Sequence, residues 1–327
     1  MLDSESLNQF EQELYKRSSE EDLLIPAAIT DPGCDRDLNE DRYAVIESNS
    51  GLMWLVCDGM GGVKGGELAA QLAIDAIKRH LDNAEPILPE TAMQEAMSES
   101  NRVVVLRRQN QAFASMGTTA VAALFNDRQV TIANIGDSRA YLVSPDKIKL
   151  LTEDDTYVQQ LVNSGEITLE ESMNHPQAHV LTKALGSEPA IEFDTDNFWI
   201  WDIEDPNEQD YLILCSDGSY SMLTDDEIAD FVRKFPPQLC CSQLVELAKK
   251  RGGYDNITVA VIPLVGKLRD VPPEGYKLQL NKPNANRNKL DLKSVKPMLI
   301  KNLLMIAGLS IIALIFSVVL ILFTLSQ

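Results

Sequence analysis

The stretch "GLMWLVCDGMGGVKGG" (Gly51–Gly66) constrains the fold more than any other part of this chain. Leu52, Met53, Trp54, Leu55, Val56 and Cys57 form an unbroken apolar run, the pattern of a buried strand. The run then meets a carboxylate, Asp58, and five of the next eight residues are glycine. The same ending recurs. "TIANIGDSRAYL" runs an apolar strand into Asp137, and "YLILCSDGSYS" runs another into Asp217. "GGYDNITVAVIPL" places Asp255 immediately before a strand, and "DPGCDRDLNEDRYAV" sets Arg36, Asn39, Glu40 and Asp41 ahead of one more. Any one of these acids alone reads as an ordinary turn, since Asp-Gly and Gly-Asp-Ser are common turn sequences. Four carboxylates at strand termini are what a rigid sheet rim gathers into one cluster.

Such a cluster either raises the pKa values of its members or holds a cation. Ligands that are all oxygen select hard ions, Mg²⁺ or Mn²⁺, over zinc. The three histidines, His80, His175 and His179, follow no H-x-x-x-H or H-E-x-x-H pattern, and the cysteines lack zinc spacing. The five cysteines (34, 57, 215, 240, 241) are odd in number and show no C-x-x-C pair, which fits a reducing compartment better than a disulfide framework.

Strand-like runs are predicted at Arg42–Glu47, Leu52–Cys57, Thr118–Phe125, Val130–Ile135, Arg139–Val143, Phe193–Trp201, Tyr211–Cys215 and Ile257–Leu264. Helical patterns fill Glu67–Leu81, Glu90–Gln109 and Pro237–Arg251, and another helix opens at Thr224, where "TDDE" makes a capping box. There is no internal repeat. Antiparallel strands with helices inserted in pairs predict an α+β layered sandwich. Residues 1–25 form an acidic extension with a short amphipathic helix expected through Leu7, Phe10 and Leu14, and no signal-peptide core.

The chain carries a net charge of -20, which argues against nucleic acid as a partner. The charge is uneven: residues 267–297 hold eight Lys and Arg against three Asp and Glu. Residues 266–301 therefore read as a basic flexible tether rich in Asn, Lys and Pro. Beyond them Leu303–Leu325 is 23 residues without a charge. As a helix it is about 35 Å long, enough to cross a hydrocarbon core of roughly 30 Å. Lys289, Lys293, Lys296 and Lys301 lie on its N-terminal side, so a single transmembrane helix over 302–325 is expected, with residues 1–300 in the cytoplasm.

Seven segments occur in an order that identifies the chain with a family: "TDPGCDRDLNEDRY", "VCDGMGGVKGGELAA", "MGTTAVAAL", "IANIGDSRAYL", "LTKALG", "LILCSDGSYSMLTDDEI" and "GGYDNITVAVI". Together they resemble the metal-dependent (PPM/PP2C) Ser/Thr protein phosphatases, most of all their bacterial branch, over about Thr30 to Val265. The resemblance implies a PP2C-like αββα sandwich of two antiparallel sheets flanked by helices over residues 26–265. It implies a two-metal centre of Mn²⁺ or Mg²⁺ bridged by Asp58, with the Gly59 carbonyl on one ion and Asp217 and Asp255 on the other. Asp137 with Asp217 matches a third, looser metal site. Arg36 matches the arginine that grips the substrate phosphate, and Glu40 and Asp41 match acids that hold metal-bound waters.

The implied reaction is hydrolysis of phosphoserine and phosphothreonine in proteins by metal-activated water, with no covalent phosphoenzyme. A cysteine phosphatase would need C-x5-R, and the five positions concerned are Glu40, Val63, Ser221, Glu246 and Leu247. The chain departs from the family pattern in places. Met60 and Val63 stand in the Asp-Gly loop where many relatives carry a histidine that protonates the leaving oxygen; His179, on the flap segment, is one substitute. Asp155 stands where His is usual, Lys183 replaces a frequent Arg, and Ser219 a frequent Leu. The alternative reading is a non-catalytic PP2C-fold signalling or scaffold module at the membrane. A two-metal phosphodiesterase is opposed by the acidic charge, and a nucleotide-binding loop by the order of residues in "GMGGVKGG". The expected partners are phosphoproteins, as substrates of a Ser/Thr kinase, and the lipid bilayer through Leu303–Leu325.

Overall fold

The computed structural model describes residues 23–61, 65–85 and 87–276. Its strands are β1 (Ala27–Asp31), β2 (Arg42–Ser48), β3 (Gly51–Cys57), β4 (Gly59–Met60), β5 (Gly117–Thr118), β6 (Ala120–Asn126), β7 (Gln129–Ile135), β8 (Arg139–Val143), β9 (Ile148–Leu150), β10 (Asp194–Trp201), β11 (Tyr211–Cys215), β12 (Ile257–Pro263) and β13 (Lys267–Arg269). Its helices are α1 (Gly65–Asn83), α2 (Pro89–Arg108), α3 (Tyr157–Ser164), α4 (Leu169–Met173), α5 (Asp217–Tyr220), α6 (Asp225–Lys234) and α7 (Pro237–Lys250). One sheet has the order β2-β3-β6-β7-β10-β13, the other β1-β12-β11-β8-β9, and β4 pairs with β5 in a short ribbon. The pairings are antiparallel throughout.

The unbroken apolar run of β3 has a direct cause. Met53, Leu55 and Cys57 pack with α1 and α2, while Trp54 and Val56 point the other way, into a cluster shared with Leu212 and Leu214 of β11 and Ala260 and Ile262 of β12. Successive side chains of a strand face opposite sides, so a strand between a helix layer and a second sheet is apolar at every position. β6 divides in the same way, with Ala122 and Leu124 toward the helices and Val121 and Ala123 toward the other sheet. On the far side, Ile213, Cys215, Val259 and Val261 pack against Ile228, Val232, Leu244 and Val245 of α6 and α7. The layers therefore run helix, sheet, sheet, helix, and each large apolar side chain buried there contributes roughly 1.5–3 kcal/mol.

The capping box expected at Thr224 is present: the Thr224 hydroxyl accepts the Glu227 N–H, and the Glu227 carboxylate accepts the Thr224 N–H. The strand expected from Thr118 starts instead at Ala120, because Thr118 and Thr119 are drawn to the Asp58 backbone. The larger sheet continues past residue 265 through β13, where Trp201 pairs with Lys267 and the Leu268 N–H donates to the Asp210 carboxylate (2.8 Å). All five cysteines are free thiols, four of them buried. Among the described residues no helix is long and apolar enough to cross a membrane. The span expected at 302–325, most of the tether and the helix expected through Leu7, Phe10 and Leu14 lie outside the described residues.

Candidate metal centre

One end of the two sheets opens into a concavity of about 620 Å³. Asp58 enters it from the end of β3, Asp137 from the β7–β8 turn, Asp217 from the first residue of α5 and Asp255 from the residues before β12. Glu40, Arg36, the Gly59 backbone and His179 complete the lining that matters chemically.

The Asp58 backbone is clamped on both sides. Its N–H donates to Thr119 Oγ1 (3.0 Å), and its carbonyl accepts from the Thr119 N–H and from the Thr118 hydroxyl, each at 2.8 Å. Thr119 Oγ1 in turn lies 2.7 Å from Ser138 Oγ, beside Asp137. The glycines after Asp58 are explained by a close approach between two backbones. A Cβ on Gly59 would collide with the Gly66 carbonyl, and one on Gly66 would lie 2.7 Å from Glu40 Oε1. The start of α1 can therefore press against β4, and its Gly66 N–H donates to Glu40 Oε1 (3.1 Å).

Burial raises Asp58 well above the usual carboxylate range, and the charges of Asp41, Asp217, Asp137 and Asp255 push it further. Asp137 is lifted to about 8, first by burial and then by Asp217. Asp217 Oδ1 is buried without a hydrogen-bond partner, while Oδ2 faces His179 Nδ1 at 3.4 Å. That contact raises the His179 imidazole above its ordinary pKa. Ligand atoms of Asp137, His179 and Asp217 all lie within 4.8 Å of one another. Crowded acids with a buried oxygen that has no partner fit a hard divalent cation, which would satisfy that oxygen and relieve the repulsion.

The residues singled out by sequence are mostly brought together. Asp58, Gly59, Asp137, Asp217, Asp255, Arg36 and Glu40 share the one concavity. Asp255 and Asp58 stand outside the tight group of three; the Asp255 carboxylate is drawn to Arg36 Nη2 at 2.7 Å. Asp41 does not line the concavity. It is buried behind it, where Oδ2 accepts from the Ser216 hydroxyl (2.7 Å) and the Thr258 hydroxyl (2.6 Å), and burial pushes it up to about 7. Ser216 and Thr258, which hold Asp41, escaped sequence reasoning, as did Asn256 and Thr119. Asn256 donates from Nδ2 to the Pro32 and Leu38 carbonyls (3.0 and 2.9 Å) and accepts the Glu40 N–H (2.7 Å), pinning the loop that carries Arg36. Thr119 clamps Asp58; its sequence signal was a polar pair, Thr118 and Thr119, directly before the apolar run that starts at Ala120.

An antiparallel α+β sandwich with an acidic, cation-ready rim defines a class that comparison with known proteins makes specific. The family model described as protein phosphatase 2C matches residues 35–250. The serine/threonine phosphatase stp of Listeria innocua is 38% identical over 252 residues, covering 74% of this chain and 97% of that protein. Among solved structures, Stp1 from Staphylococcus aureus superposes with a TM-score of 0.66 at 32% identity, covering 73% of this chain and 94% of that one. The catalytic domain of PstP in complex with two manganese ions has a TM-score of 0.62 at 31% identity, covering 72% and 96%. The chain belongs to the protein phosphatase 2C family and is an enzyme of that type, a metal-dependent protein serine/threonine phosphatase.

Proposed function

We propose that this chain is a membrane-tethered phosphatase whose domain faces the cytoplasm and releases phosphate from phosphoserine and phosphothreonine in proteins at the acidic concavity. The observation that carries the reading is convergence: carboxylates from four separate strand ends line one opening. In this reading Asp58, the Gly59 carbonyl, Asp217 and Asp255 hold two divalent cations, and Asp137 joins Asp217 at a third. When bound, such ions supply a water acidic enough to attack phosphorus near neutral pH.

The remaining residues bind and orient. Arg36 is half exposed and paired with Asp255, so it can exchange that carboxylate for phosphoryl oxygens, to which its planar fork of N–H donors is matched. Glu40 is fixed by the Gly66 N–H and faces the concavity, in position to order water there. Asp41, through Ser216 and Thr258, positions the chain next to Asp217 and Asp255. No side-chain nucleophile is required: burial pushes the Cys57 thiol up and Cys215 to about 12, so neither is a thiolate near neutral pH.

The tether supports the location. The uncharged run Leu303–Leu325 follows a basic segment, and basic residues rest on anionic lipid while an acidic domain is repelled from it. Confinement to the membrane face raises the effective concentration toward membrane-bound phosphoproteins. Phosphate release by the full chain in detergent, from phosphoserine, phosphothreonine and phosphotyrosine peptides with Mn²⁺ and with chelator, tests the activity. We expect release from the first two only, and only with the ion; release that survives chelation would overturn the metal reading. Alkaline extraction of membranes tests the location, since a full chain found in the soluble fraction would rule out the span.

A further inference from the structure

The acidic concavity is not the end of the opening. Met60 and Leu181 form a wall shared with a second, smaller notch of about 200 Å³. The two linings differ in sign. The first carries six carboxylates, Asp37, Glu40, Asp58, Asp137, Asp217 and Asp255, whereas the second carries Arg108 and Lys183 and no carboxylate.

Both cations are held in place. Arg108, the last residue of α2, donates from Nε to the Ala114 carbonyl (2.8 Å) and from Nη1 to the Gly186 carbonyl. Carbonyl partners fix the guanidinium without neutralising it. Lys183 Nζ lies 2.8 Å from Asp155 Oδ1, and its side chain remains 41% exposed while that of Asp155 is 10% exposed. Lys183 therefore shares its charge with Asp155, which leaves Arg108 as the lining cation whose partners are uncharged. The rest of the lining is neutral, with the hydroxyl-bearing Ser115, Thr182 and Ser187 beside methionine and leucine.

We infer that this notch seats a side chain of the phosphoprotein close in sequence to the phosphorylated residue, and that it selects Asp or Glu. The inference rests on the phosphatase reading and names its substrate class more narrowly. An extended peptide advances about 3.3 Å per residue, so with the phosphoresidue in the acidic concavity, a nearby residue reaches the notch that shares its Met60 and Leu181 wall. The field of the whole domain gives the opposite expectation. A chain of net charge -20 with an acidic active site would by itself draw basic peptides. At contact distance Arg108, whose partners are uncharged carbonyls, acts on the flanking side chain directly, with Lys183 sharing its charge with Asp155, and half-exposed pairs of this kind give a preference of roughly two- to fivefold.

The experiment uses the full chain in detergent with Mn²⁺ and three phosphothreonine peptides of equal length whose residues flanking the phosphothreonine are Glu, Ala or Lys. The quantity read is kcat/KM for each, at low salt and near 0.5 M salt. We expect Glu above Ala above Lys, with the spread narrowing in high salt as screening shortens the range of the charges. Arg108→Gln should compress the ranking. Thr182→Glu, at an exposed position on the notch lining, should flatten it by offsetting the remaining positive charge, and this variant keeps the test open if Arg108→Gln fails to fold. Equal rates for all three peptides, a wild-type preference for Lys, or a Thr182→Glu enzyme with the wild-type spread would overturn the notch. No release from any peptide would instead overturn the phosphatase reading itself.

Discussion

Asn256 offers the sharpest test of how the site is assembled. The residue is buried next to Asp255, and its side chain makes the three hydrogen bonds that hold the Pro32–Glu40 loop to the start of β12. Asn256→Ala deletes all three and leaves the Glu40 N–H and the Pro32 and Leu38 carbonyls seeking other partners. At about 1 kcal/mol net per bond the loss is about 3 kcal/mol, which for a domain of this size lowers Tm by roughly 6–12 °C. The same loop carries Arg36 and Glu40, so KM for a phosphopeptide should rise by a larger factor than kcat falls. Asn256→Asp retains an acceptor for the Glu40 N–H but cannot donate to the two carbonyls, and it should be destabilised as well. Denaturant unfolding with steady-state kinetics on both variants is the assay. A stability change below about 1 kcal/mol in Asn256→Ala would refute the reasoning; it would mean that the Cys34 N–H bond to the Gly253 carbonyl (2.7 Å) suffices to hold the loop.

Three further outcomes are expected. In the chelated protein, Asp41 is raised to about 7, Asp137 to about 8 and Asp58 well above its ordinary range, so the folded state holds more protons than the unfolded chain between about pH 4 and 8. Its denaturation midpoint should therefore fall as pH rises through that window, with saturating Mn²⁺ reversing the trend; a midpoint that climbs with pH in chelator contradicts the crowded-acid description. Asp58→Asn should stabilise the metal-free protein by removing a buried carboxyl that must take up a proton to fold, while lowering Mn²⁺-dependent turnover at least about a hundredfold, equivalent to roughly 2.7 kcal/mol of transition-state stabilisation. Full activity in the Asp58→Asn enzyme is incompatible with the proposed centre. Gly66→Ala should destabilise by about 1–3 kcal/mol through overpacking against Gly59 and Glu40. Gly165→Ala meets open space but a positive φ, and the left-handed conformation should cost it about 1–2 kcal/mol; urea titration of both checks these values.

What could be read from the sequence follows the depth of burial. β3, β6, β7, β11 and β12 sit inside their sheets, and most of their residues are buried whichever face they point to, so apolar runs marked them, interrupted only by buried polar residues such as Thr131 and Asn134 of β7 and Thr258 of β12. β1, β9 and β13 lie at sheet edges, where backbone pairing does most of the holding. In β13 only Leu268 is buried, between Lys267 and Arg269, and three such residues read as the opening of a tether. The α3 and α4 helices are short, yet their signals were present: Thr156 and Thr168 cap their starts, and Gly165 ends α3 in the left-handed conformation. The site divides along the same line. Each carboxylate was visible because it stands beside a core strand, a position that can be read from local pattern. Asn256, Thr119, Ser216 and Thr258 were not, because their roles exist only once the sheets bring together Glu40 with Asn256, Asp58 with Thr119, and Asp41 with Ser216 and Thr258. Chemistry written as charge at a strand end can be read in one dimension, whereas the hydrogen bonds that hold the charge in place depend on strand pairing and appear only in three.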